Sequence, residues 1–261
     1  MPKLAEHTST QSIKLLNIGD SGTGKTGALA ELARAGYNLH IIDFDNGLDI
    51  LATLLRDDPE ALARVEYETF TNKMKKGPHG PIPVKADAFG RALKTLDSWD
   101  IYSMTEKDVI VIDSLTFMGQ AALNYVLFME GKAGQRPQIQ HWGAAMSYLE
   151  DVLTMLTADE IKANVIINSH ITFVEGENGG VIKGYPSALG SKLPPKVGRW
   201  FNTVVLSRSI GSGANRKREI LTRGEGLIEC KTAAFKSLPD KLPLETGLLE
   251  IINQTTGKTN G

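Results

Sequence analysis

Lys25 and Thr26 close an eight-residue run, Gly19-Asp20-Ser21-Gly22-Thr23-Gly24-Lys25-Thr26, that sets glycines, one ammonium and a hydroxyl in a fixed order. The run satisfies the pattern GxxxxGK[ST] at every fixed position. Each residue type has a physical task. Glycines let the backbone wrap closely, so that successive N–H groups converge on an anion. Lys25 supplies a point charge for the outer phosphates of a nucleoside triphosphate, and the Thr26 hydroxyl suits Mg²⁺. A second signal is Asp113, at the end of the apolar run Val109-Ile110-Val111-Ile112. A carboxylate there suits the metal side of a phosphate site, although an Asp can also simply cap the next helix. Asp43 and Asp45 end another apolar run, and strand alternation puts both on one side. His170 closes Val165-Ile166-Ile167-Asn168-Ser169. It reads either as a lone satisfied histidine or as a sensor of the terminal phosphate.

These groups need elements to hold them. Ile13, Leu15, Leu16 and Ile18 predict a buried strand entering the glycine loop, and residues 27–34 a helix leaving it, closed by Gly36. Further strands are expected at 38–42, 65–70, 109–113, 163–170 and 203–206, with helices at 48–56, 86–99, 117–130 and 139–157. In open α/β sheets ligands gather at the carboxyl ends of strands, where Lys25, Asp45, Asp113 and His170 all fall. Residues 219–222 and 226–231 read as a terminal hairpin, and 244–253 as a last short element. The fold class is therefore α/β, a mainly parallel twisted sheet flanked by helices plus a C-terminal β-hairpin. One domain is expected over 13–253, between a flexible start at 1–12 and a polar, mobile tail at 254–261.

A chain of 261 residues fits one such core. With 29 basic and 30 acidic residues, a polycationic nucleic-acid coat is excluded but a local basic surface is not. Cys230 is the sole cysteine, which leaves no intrachain disulfide and no cysteine metal cluster. No apolar run reaches membrane-spanning length, and the start lacks the apolar core of a signal peptide. A soluble, cytoplasmic protein is expected.

Three other stretches stand out. Residues 72–83, rich in lysine, proline and glycine, read as an exposed loop. Residues 131–138 form a flexible basic link carrying Lys132 and Arg136. Residues 172–199, rich in glycine and proline, carry Lys183, Lys192, Lys196 and Arg199 with Phe173 and Tyr185. Loops that long inside a compact domain are usually functional, the plainer account being a solvated surface. Arg216-Lys217-Arg218 reads equally well as a solvated turn. Phe89-Gly90-Arg91-Ala92 has the FxxA form of a subunit-docking string, although a Phe facing the core is the plainer reading.

The ordered series GDSGTGKT, IIDFDNGLD, VIVIDS, VIINSH and a long glycine-rich segment before a strand resembles the RecA-like ATPase core. It is most similar to the short phage-encoded members associated with single-strand annealing and recombination, and the resemblance runs from about Ile13 to Phe235. It implies that the phosphate-loop strand lies inside the sheet, with the Val165 strand between it and the Val109 strand. It implies ATP and Mg²⁺ as cofactors, with Gly19 to Thr26 cradling the phosphates and Thr26 and Asp113 holding the metal. In that family a glutamate positions the attacking water. Asp45 stands at its place here, one methylene shorter. His170 stands where the family senses the γ-phosphate, in place of a glutamine.

The two DNA-contacting loops of the family correspond to 131–140 and 172–199, which implies single-stranded DNA contacts by Lys132, Arg136, Lys183, Lys192, Lys196 and Arg199. Related RadA proteins carry KNRFG, whose basic residues reach a neighbouring subunit's nucleotide. Lys231-Thr232-Ala233-Ala234-Phe235 keeps the lysine, which makes Lys231 a trans-acting candidate in a homo-oligomer. A single-stranded-DNA-binding protein is a further candidate partner, and no membrane is involved. The function implied is an ATPase that binds single-stranded DNA in recombination or annealing. The alternatives are a nucleotide-dependent loader or regulator acting on a protein partner, and a small-molecule kinase, against which the motif order argues.

Overall fold

Lys14–Ile18 forms strand β1 in a computed structural model of the chain that describes residues 11–77, 80–176 and 180–257. All of its residues are buried, as a strand covered on both faces requires. The phosphate loop follows, then a 3-10 turn at Gly27–Leu29 and helix α1, Ala30–Arg34. β2, Asn38–Asp43, returns to the sheet and leads to α2, Asp49–Leu55, and α3, Pro59–Leu62. Asp58 caps α3 by accepting the Ala61 N–H at 3.0 Å. β3, Val65–Thr69, forms one edge of the sheet.

The described residues of the lysine-rich 72–83 stretch are exposed or half-buried, and they pair as a small hairpin of β4, Met74–Gly77, and β5, Gly80–Pro83. In α4, Ala88–Ser98, Phe89 is fully buried with its ring 5.9 Å from Tyr125 and 6.0 Å from Tyr148. The FxxA string is thus part of the core. β6, Asp108–Asp113, α5, Leu115–Met129, α6, Ile139–Leu156, and β7, Asn164–Ser169, match their sequence patterns closely.

The 172–199 segment is more ordered than its composition suggests. β8, Ile171–Gly176, and β9, Gly180–Pro186, pair antiparallel outside the main sheet, and α7, Pro194–Val197, adds one turn. Thr172, Phe173 and Val174 facing Tyr185, Gly184 and Lys183 are good cross-strand partners, a signal masked by the glycines around them.

β10, Thr203–Ile210, β11, Lys217–Leu221, β12, Lys241–Pro243, and α8, Leu244–Thr256, complete the chain. The hairpin expected between 219–222 and 226–231 is replaced by another pairing. β11 runs antiparallel to β10 from Leu221 against Leu206 to Lys217 against Ile210, and β12 adds on its far side. Residues 226–231 make only isolated bridges, because Gly224 and Gly226 interrupt any extended run there. α8 also continues through Gln254, Thr255 and Thr256, the first residues of the expected tail. Residues 1–10 and 258–261 lie outside the described residues.

The main sheet has the order β12-β11-β10-β1-β7-β6-β2-β3. It is parallel from β10 to β3. β1 is therefore internal and β7 separates it from β6, as the resemblance implies. One apolar layer under α4, α5 and α6 covers one face, and a second under α1, α2 and α8 covers the other. Among the described residues no helix is long and apolar enough to cross a membrane.

Candidate nucleotide site

The carboxyl ends of β1, β2, β6 and β7 open into one cavity of about 680 Å³ that takes in the glycine loop, Asp45, Asp113 and His170. Gly22 and Gly24 have φ of +77° and +94°, a region that side chains disfavour. A Cβ on Gly24 would also press on the side-chain tip of Leu244 at the start of α8, which would have to move aside. Lys25 is almost buried, its Nζ donating to the carbonyls of Gly19 at 2.7 Å and Asp20 at 3.0 Å. Burial pulls its pKa down, and the nearby Asp113, Asp45 and Asp20 oppose that shift.

Thr26 Oγ1 donates to Asp113 Oδ2 at 2.6 Å. Burial raises the Asp113 pKa. The Thr26 hydrogen bond counters this, while the charge of Asp45 adds to it. A hydroxyl and a buried carboxylate in contact are hard oxygen donors, and beside a lysine that meets phosphates they suit Mg²⁺.

Asp45 is held across the cavity mouth. Its Oδ1 accepts from the Ser114 N–H at 3.0 Å and from Ser114 Oγ at 2.7 Å. Its Oδ2 lies 3.4 Å from His170 Nε2, and both side chains are about a quarter exposed or less. The His170 backbone N–H donates to Thr116 Oγ1 at 3.1 Å, and its ring meets Phe117 edge-on at 5.9 Å. The structure thus joins Asp45 and His170, which sequence treats as separate signals.

Asp43 behaves differently from the alternation argument. Its carboxylate turns back to accept the N–H groups of Asp45 and Asn46 at 3.0 and 2.8 Å and the Thr69 hydroxyl at 3.0 Å. It shapes the turn that presents Asp45. The sequence assigned no role to Ser114, the last residue of VIVIDS, or to Thr116 or Phe117, and none to a buried polar row beneath the loop. In that row Ser207 Oγ donates to Asn17 Oδ1 at 2.7 Å, and Asn17 Nδ2 donates to Asn168 Oδ1 at 3.0 Å. Asn168 stands opposite Asp113 in the ladder, and its Nδ2 has no hydrogen-bond partner within reach. Polar residues inside apolar strands were the available signal.

The basic residues named from the sequence do not form one free surface. Lys183 pairs with Glu229 at 2.9 Å, Lys132 with Glu130 at 2.6 Å and Arg199 with Glu150 at 3.7 Å. Arg136, Lys192 and Lys196 are exposed, and no ion pair holds them among the described residues. The 131–138 link packs at Gly134 against Ile82 of β5. Lys231 exchanges backbone hydrogen bonds with Val204 and lines a separate cavity of about 270 Å³ with Lys183, Arg199 and Cys230.

A mainly parallel sheet with β7 between the loop strand and the acid strand, and a loop, lysine, threonine and aspartate set at its carboxyl edge, define a RecA-like phosphate-loop ATPase domain. The family profile described as "AAA domain" matches residues 11–232, and the chain belongs to that family. No curated protein matches it. Among solved structures it is similar to a KaiC-like protein of the hyperthermophilic archaeon Pyrococcus horikoshii OT3, with 14% identity, TM-score 0.43, and 88% of this chain and 84% of that one covered. It is also similar to the flagellar accessory protein FlaH of Methanocaldococcus jannaschii, with 12% identity, TM-score 0.46, and 88% and 83% covered.

Proposed function

We propose that this protein is a Mg²⁺-dependent ATPase that couples its nucleotide state to binding of single-stranded DNA, in recombination or annealing of the phage type. The observation that carries the nucleotide half is the Thr26–Asp113 contact at 2.6 Å beside Lys25. The glycine loop and Lys25 bind the phosphates, and Thr26 and Asp113 hold Mg²⁺. When bound, the metal neutralises charge that develops on the phosphates. Asp45, oriented by Ser114, aligns a water for attack and His170 reports the terminal phosphate.

The DNA half is supported by chain connectivity. β8 starts one residue after His170, and it exposes Phe173, with Lys192 and Lys196 further along the same segment. An aromatic face and free lysines are what a single strand needs. A second reading, a nucleotide-dependent regulator of a protein partner, is favoured by the ion-paired Lys183 and by the exposed apolar Phe173, Ile182 and Leu227.

Turnover of Mg-ATP with and without single-stranded DNA separates the two. Stimulation that Lys25→Ala abolishes supports the DNA reading. Turnover indifferent to DNA supports the regulator. Lys192→Ala with Lys196→Ala should flatten the salt dependence of single-strand affinity by about 1.4 in slope, since each phosphate contact contributes roughly 0.7.

A further inference from the structure

Arg218 lies in β11, beyond every motif that marks the nucleotide site, yet it lines the same cavity as Lys25, Thr26 and Asp113. Its placement follows from the sheet. β11 pairs with β10, which pairs with β1, so the residue is carried to the loop on two rigid ladders. The next residue, Glu219, is gripped by Arg208 through Nε at 2.8 Å and Nη2 at 2.7 Å, which fixes that side of the strand. Alternation then sends Arg218 the other way. Its stem passes the loop at Gly24. A Cβ on Gly24 would stand 3.2 Å from Arg218 Cδ and 3.7 Å from its Nε. Among the described residues the guanidinium makes no hydrogen bond or ion pair, whereas Arg34, Arg91, Arg199, Arg208 and Arg223 all pair with carboxylates.

The charge around Lys25 calls for a second cation. Asp113 and Asp45 line the cavity beside Lys25, and a triphosphate still carries net negative charge into it after its Mg²⁺ is counted, more than one ammonium balances. We propose that Arg218 binds the phosphate chain of the nucleotide held in its own chain, completing the charge of the site in cis. A planar guanidinium with several donors suits phosphate oxygens. Lys231, the residue the family resemblance implies for a cation reaching across subunits, is tied to Val204 and faces another cavity. The inference rests on the ATPase reading above and names a residue that reading does not use.

The test measures Mg-ATP and Mg-tripolyphosphate binding by calorimetry, with turnover, in wild type, Arg218→Ala, Arg218→Lys and the neighbouring control Lys217→Ala. Removing one charge-assisted contact should weaken both ligands alike, by about tenfold or more. Arg218→Lys should recover part of the loss, and Lys217→Ala should match wild type. Tripolyphosphate carries no base, so a loss confined to ATP would overturn the assignment to phosphate. Wild-type affinity in Arg218→Ala would overturn it as well. Mixing Arg218→Ala with Lys25→Ala decides between chains. At subsaturating ATP the mixture should turn over no faster than Arg218→Ala alone at the same concentration, and turnover rising to the wild-type level would overturn the intrachain assignment. Failure of the ATPase reading looks different, since wild type itself would then bind neither ligand.

Discussion

Asp45 gives one oxygen to Ser114 and leaves the other facing His170 and the cavity. Asp45→Asn keeps an oxygen for Ser114 but loses the negative charge that orients and polarises water. Turnover should fall by about 10²–10⁴-fold while KM for ATP changes by less than about threefold, a loss felt in the transition state. Steady-state kinetics checks this, and unchanged kcat would move the role away from Asp45. At this scale the sequence was informative wherever chemistry is written in a contiguous pattern, as at Gly19 to Thr26 or at Asp113 after its apolar run. It was blind to Ser114, whose hydroxyl matters only because β2 and β6 lie side by side. It misjudged Asp43, because β2 ends at that residue and period-two alternation does not carry on to Asp45.

At the scale of elements, the row Ser207, Asn17 and Asn168 crosses β10, β1 and β7 and ends against Asp113 on β6. A group behind a metal ligand sets its orientation. Asn168→Ala should raise the Mg²⁺ concentration for half-maximal turnover by about ten- to a hundredfold, with saturating Mg²⁺ restoring much of the rate. A Mg²⁺ titration of turnover reads this directly, and an unshifted midpoint would reduce the row to packing. Long periodic elements such as α6 and fully apolar strands such as β6 were legible from their residues. The β10–β11–β12 edge was not, since its pairing is chosen by what each strand finds across the sheet. Glu219 finds Arg208, and that preference leaves no mark on local pattern.

For the molecule as a whole, β1 joins the nucleotide site at one end to Lys14 at the other. Lys14 is buried, donates to the carbonyls of Ile161 and Ala163 at 2.7 Å each, and is brought down to about 8 by burial, with Asp159 opposing. The folded chain thus releases this proton near pH 8, while the unfolded chain holds it to about 10.5. The unfolded state binds more protons between these values, so stability should climb with pH across that window. Denaturant melts at several pH values should show the climb in wild type and a flatter profile in Lys14→Met, and parallel profiles would exclude Lys14 as the cause. The layered α/β class was within reach of the residue pattern, whereas the place of β7 between β1 and β6 came from the family resemblance alone, because strand order in the sheet departs from order along the chain. Cys230 adds a practical property. Burial pushes its thiol up to about 11, so at neutral pH about one molecule in ten thousand presents a thiolate. Slow labelling of the native chain by maleimides at neutral pH is the expected outcome. A Phe173→Cys variant would place its one fast-reacting sulfur on β8, where a fluorophore can follow the hairpin as nucleotide binds and leaves.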